Sequence, residues 1–214
     1  RRLVRLMQAA IDRCALDLSG YVVLTEAASG AYRSTPVLAA MAGAKQVHAI
    51  TRDTRYGTVQ AIAAGTRELA RLAGVEDRIE VIQHKRPELV VQADIVTNSG
   101  HVRPIDTQTV GWMKRTAVVP LMYEAWELRG GDVDLEACRE RGVRVTGTNE
   151  RHPAVDVFSF LGVMAVKLLL DAGELHELLG ELVGVERIQR VLVLELRGEQ
   201  RQEGLEIARD RGGL

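Results

Sequence analysis

Charged and amide side chains in this chain recur just after short apolar runs that read as strands. Glu26 follows Val22-Val-Leu24, and Arg52 and Asp53 follow Gln46–Ile50. Asn98-Ser-Gly-His101 follows Ala93–Val96, Glu124 follows Ala117–Met122, and Asn149-Glu150 follows Val143–Thr146. A carboxylate at Glu26 could bind a hydroxyl or act as a base; it could equally be a cap or an ion-pair partner. Ser29 and Gly30 are small enough for backbone N–H groups to approach an anion at a helix start, or simply to make a tight turn. Asp53 stands near the place where an acidic residue meets ribose hydroxyls, and Arg52 could meet a phosphate; a solvated charge cluster is the plainer alternative. His101 titrates near neutral pH and can move protons. Glu124 could pair with it, raising the imidazole pKa and fixing its tautomer, which would make an acid–base dyad.

Parallel strands would deliver all of these residues to one edge. The stretch 21–53 reads as strand, turn, helix, strand: Val22–Leu24, then Glu26–Ala31, then a helix with Pro36 in its first turn and Ser34 or Thr35 as cap, closed by Gly43, then Gln46–Ile50. Leu3–Leu16 leads in as an amphipathic helix, with Leu3, Val4, Met7, Ile11 and Leu16 near a 3.6-residue period. Tyr56-Gly57 is a turn. A helix over Val59–Leu72 ends at Gly74, and a strand over Arg78–Ile82 follows. Ala93–Asn98, Ala117–Met122 and Val143–Thr146 are further strands; Ile105–Met113 and Leu135–Arg141 are helices, the second closed by Gly142. Pro153–Leu170 is a long apolar helix. This alternation predicts an α/β fold: a doubly wound, mostly parallel sheet in a Rossmann-like or flavodoxin-like three-layer sandwich over residues 1–173. Residues 174–214 read as a tail, possible helices at 176–183 and 203–211 around a strand at 190–194, that could begin a second α/β domain.

Composition narrows the function classes. The chain has 214 residues, 46% hydrophobic and 27% charged, with a formal net charge of −1. Nothing in that balance favours a polyanion or an anionic membrane, and 4% aromatics gives no platform for base stacking, so nucleic acid and membrane are not expected partners. Cys14 and Cys138 suit a reducing, cytoplasmic compartment. No His/Cys spacing suits zinc, so no metal site is expected. The apolar faces of the Pro153–Leu170 helix suggest a homo-oligomer, such as a homodimer, or burial within one chain.

Two families are similar in different stretches. Asp132-Val-Asp-Leu-Glu-Ala-Cys-Arg-Glu-Arg-Gly-Val-Arg-Val-Thr-Gly-Thr-Asn149, with the apolar helix after it and Ala93-Asp-Ile-Val96 before it, resembles the D-isomer-specific 2-hydroxyacid dehydrogenases over about residues 90–172. That resemblance implies the substrate-binding, catalytic domain of an NAD(P)-dependent oxidoreductase acting on a small polar metabolite, with NAD or NADP as cofactor. His101 and Glu124 would then handle the proton, while Glu26 and Asn149 orient the substrate. Residues 20–100, including Gly43-Ala-Lys-Gln-Val-His-Ala49, look like the first strands of class I S-adenosylmethionine-dependent methyltransferases. The cofactor would then be S-adenosylmethionine. A non-catalytic small-molecule-binding subunit on the same scaffold is the third reading.

Overall fold

The computed structural model describes residues 1–155 and 158–171. The chain divides into two units, Arg1–Val157 and Phe158–Leu214. The sequence boundary near 173 and the elements expected at 176–183, 190–194 and 203–211 lie outside the described residues.

The first unit is one six-stranded sheet. Its strands are β1 (Val22–Glu26), β2 (Gln46–Ile50), β3 (Ile79–Ile82), β4 (Ile95–Val96), β5 (Val118–Pro120) and β6 (Arg144–Thr146). The order is β3-β2-β1-β4-β5-β6, and every pairing is parallel. This is the Rossmann-like doubly wound α/β fold, with the strand order reversing direction between β1 and β4. Register puts Leu24 beside His48 and Val96, and Val23 beside Val47 and Ile95. Successive side chains therefore serve opposite faces.

Helices α1 (Arg2–Arg13), α2 (Ser34–Met41) and α3 (Val59–Ala73) cover one face. Val23 and Val47 meet Ala39 and Ala40 there, and Met7, Val37, Leu69 and Ala70 form the adjoining cluster. On the other face lie α4 (Pro87–Val90), α5 (Thr107–Trp112) and α6 (Leu135–Arg141). Leu24, Ile50, Val96 and Val119 pack there against Leu89, Val90, Val110, Met113 and Cys138. These layers account for the near-continuous apolar runs of β1 and β2, since central parallel strands are buried on both faces.

Several helix ends follow the sequence. Gly74 and Gly142 close α3 and α6 at φ +71° and +80°, a region where a Cβ is costly. Thr58 caps α3 by accepting from the Ala61 N–H. The start of α2 differs from expectation. The helical run begins as a 3-10 turn at Gly30–Arg33, so Ser34 sits inside it and its hydroxyl donates to the Ala31 carbonyl. Neither Ser34 nor Thr35 caps the helix. The last described helix, α7 (Ser159–Asp171), starts six residues after Pro153, which lies in a turn. The short α4 is an element that no sequence pattern foreshadows.

Candidate functional site

All six strands point the same way, so their carboxyl ends share one rim. Two crevices of about 360 Å³ each open on it. The first is lined by Glu26, Tyr32, Asn98, Arg103, Tyr123 and Arg129, among others. Glu26 ends β1 and is 5% exposed. Its Oε2 accepts the His101 N–H at 3.0 Å, which ties the loop after β4 back to β1. Gly100 permits this approach, since a Cβ there would lie 3.3 Å from Glu26 Oε2.

Asn98 is 1% exposed, and its two amide atoms have different fates. Oδ1 accepts the Met122 N–H at 2.8 Å, joining the ends of β4 and β5. That bond fixes which atom is the nitrogen. Nδ2 makes no hydrogen bond of good geometry among the described residues, although it lies near enough to the Tyr123 hydroxyl to lower that group's pKa. A buried amide donor left unpaired costs about 1–3 kcal/mol. It is enclosed, so a ligand acceptor reaches it only as the crevice side chains part.

Behind the crevice Asp132 Oδ2 receives two donors, the Arg103 guanidinium at 2.7 Å and the Tyr123 hydroxyl at 2.7 Å. Burial opposes ionisation of Asp132, but these two bonds outweigh it and hold its pKa below the ordinary carboxylate value. The same pair raises Arg103 against the effect of burial, and burial together with Asp132 raises Tyr123. Arg103 is thus a fixed cation at pH 7, with only one nitrogen committed in this pair. Arg129 is exposed at the mouth.

The second crevice lies over the ends of β2 and β3. Arg52, His84, Lys85, His101, Asp106 and Trp112 are among its lining residues. Burial lowers the His101 pKa; Glu26 opposes that shift and Arg52 adds to it. His101 and Gly100 lie between the two crevices.

The predicted residues therefore fall into groups. Glu26 and Asn98 meet in the first crevice, and Arg52 and His101 in the second. Among the described residues, Ser29 and Gly30 line neither. Asp53 is used locally: its Oδ1 accepts the Val59 N–H at 2.7 Å, at the start of α3. The expected His101–Glu124 hydrogen bond is absent among the described residues. Glu124 Oε1 instead accepts the Glu150 N–H at 2.9 Å, and Asn149 Oδ1 accepts the Arg151 N–H at 3.1 Å, so these three form a separate cluster beyond β5. The carboxylate that acts on His101 is Glu26. Arg103, Tyr123, Arg129, Asp132 and Lys85 do not stand out in the sequence. Tyr123 carries the same signal as Glu124, a polar group directly after a strand, and Arg103 is two residues beyond His101.

A dinucleotide in the usual Rossmann pose needs a glycine-rich turn that brings backbone N–H groups to its pyrophosphate, and an acid free to take the ribose. The turn here is Ala27-Ala-Ser29, with the Glu26 carboxylate buried beside it and Asp53 already capping α3. The residues present do not fit that pose. Nor do they suit S-adenosylmethionine: His84-Lys85 follows β3 where an acid would meet the adenine. Among the described residues, no cluster of three His, Cys, Asp or Glu could hold a metal, and no helix is long and apolar enough to cross a membrane.

No family model and no curated protein matches the chain. Solved structures do. A dipicolinate synthase chain from Bacillus halodurans superposes with a TM-score of 0.50 at 18% identity, covering 77% of this chain and 51% of that one. Shikimate 5-dehydrogenase from Listeria monocytogenes, in complex with shikimate and NAD, gives 0.46 at 15%, covering 65% and 50%. Quinate dehydrogenase from Corynebacterium glutamicum, in complex with NAD, gives 0.42 at 15%, covering 65% and 48%. The chain spans about half the length of these proteins. The likeness is a distant one of fold alone; none of the three is a 2-hydroxyacid dehydrogenase or a methyltransferase.

Proposed function

We propose that the unit Arg1–Val157 is the substrate-binding domain of an oxidoreductase similar to the 2-hydroxyacid dehydrogenases, taking a small 2-oxo or 2-hydroxy carboxylate in the Asn98 crevice. The observation that carries this is the nearly fully buried Nδ2 of Asn98, without a hydrogen bond of good geometry, in a crevice that Glu26 and Tyr123 also line. An acceptor oxygen of the ligand completes that amide. A carboxylate meets Arg129 and the free nitrogens of Arg103, and a hydroxyl donates to Glu26. The crevice thus offers one buried donor, one acceptor and two cations, a set that suits a hydroxy acid better than an apolar or cationic ligand.

His101 lines the second crevice and adjoins Gly100 of the first, and from that shared wall it is the proton-transfer candidate in this reading. Burial keeps its imidazole neutral near pH 7, ready to accept a proton, and Glu26 holds its backbone in place. The nicotinamide cofactor expected from the sequence has no cradle in the β1–α2 turn, so this reading assigns substrate, not cofactor, to the unit.

The test is a titration of the full chain with 2-oxo and 2-hydroxy acids, followed by amide NMR. We expect shifts at Asn98, Met122 and Arg129. Arg129→Ala weakens binding about tenfold or more, the loss of one charge-assisted contact. Asn98→Asp keeps the acceptor for Met122 and removes the free donor, so it abolishes binding. An apolar alcohol of the same size binding as tightly as the acid sinks the reading.

A further inference from the structure

We propose that the Asn98 crevice takes the zwitterion of an apolar 2-amino acid, with its ammonium on Glu26 and its carboxylate on Arg103 and Arg129. This rests on the reading of that crevice as a carboxylate site, and it names the group carried on the neighbouring carbon. Glu26 supplies the argument. It is 5% exposed, yet among the described residues it forms no salt bridge. Its hydrogen bond there comes from the His101 N–H to Oε2. Oε1 has no partner among those residues and is not sealed from the crevice that Glu26 lines. A carboxylate withdrawn from water is costly unless an opposite charge meets it. A ligand hydroxyl brings Glu26 a hydrogen bond and no charge, whereas an ammonium brings both.

The cations stand opposite. A Cβ on Gly100 would lie 3.3 Å from Glu26 Oε2 and 3.8 Å from Arg103 Nη2, so the two poles face each other across that glycine. Burial lowers the Arg103 pKa, Asp132 raises it, and Glu26 adds to that rise. Asp132 already compensates Arg103. Arg129 lines the same crevice and forms no salt bridge among the described residues. The crevice therefore presents one uncompensated anion and one uncompensated cation. A hydroxy acid answers only the cation and sets its own charge against Glu26. A simple amine answers only Glu26. A zwitterion answers both. Its ammonium and carboxylate share one carbon and stand about 3 Å apart, so an ordinary hydrogen bond at each end spans the gap. Tyr32 and Met122 add exposed apolar surface to the lining, which favours an apolar side chain.

The experiment titrates the full chain with L- and D-leucine, with the 2-hydroxy analogue of leucine, and with isopentylamine, which lacks the carboxylate. Amide NMR at His101, Met122 and Arg129 is the readout. One leucine enantiomer should bind about tenfold or more tighter than the hydroxy acid, and the amine should leave Arg129 unmoved. Glu26→Gln keeps an acceptor for the His101 N–H and removes the charge, so it should erase that preference. Arg129→Ala should weaken leucine and the hydroxy acid alike. A hydroxy acid that binds as tightly as leucine, or a preference undiminished in Glu26→Gln, overturns the inference and leaves the carboxylate reading standing. Binding of neither acid overturns both.

Discussion

His101 lies under two opposed influences, and they make its titration a sensitive report on the rim. Burial lowers its pKa from the ordinary 6.5, Glu26 opposes the shift and Arg52 reinforces it. Glu26→Gln should lower the pKa further, and Arg52→Gln should raise it, read from the imidazole proton shifts. No change in either variant would show that only burial matters. The sign for stability follows from proton counting. Between the folded pKa and 6.5 the unfolded chain binds more protons than the folded one, so stability falls as pH drops through that window. Asp132 behaves differently. Its folded pKa is depressed, so its contribution is complete above the ordinary value of 3.8 and is lost as pH falls through the lower folded value. Asp132→Asn should cost about 1–3 kcal/mol at pH 7 by urea unfolding, because Arg103 and Tyr123 lose a charged acceptor. That difference should shrink near pH 3.

At the scale of elements, two close approaches are checkable. A Cβ on Gly147, just after β6, would lie 2.8 Å from the Ala125 nitrogen and 2.9 Å from its Cβ. Backbone cannot yield as a side-chain tip does, so Gly147→Ala should cost about 1–3 kcal/mol and move amide signals around Ala125. Thr58→Ala should cost about 1 kcal/mol through loss of the α3 cap. Features set by neighbours in sequence are legible from it. The apolar runs of β1 and β2, the αL glycines after α3 and α6, and the turn at Tyr56-Gly57 all stand where local chemistry places them. Features set by distant partners are not. The Arg103–Asp132 pair spans 29 positions and the Tyr123–Asp132 bond nine, and no periodicity connects them. Asp53 misleads because a carboxylate after a strand can face a ligand or the next helix, and only geometry decides. The single turn α4, Pro87–Val90, is too short for a period to show.

At the scale of the whole molecule, the strand order creates the crevices. The reversal between β1 and β4 parts the loops that follow them, and Glu26 bridges the parting by holding the His101 N–H. The same carboxylate excludes a pyrophosphate from the β1–α2 turn, so millimolar NAD should leave the Ser29, Gly30 and Ala31 amide signals unmoved. Asn98 carries the remaining consequence. One end of its amide secures β5 to β4, while the other end makes no hydrogen bond of good geometry. Engaging that second end restrains the whole side chain, so occupancy should slow deuterium uptake at the Met122 amide even where the guest never touches it. The central seam of the sheet would then act as the molecule's own gauge of whether it is loaded.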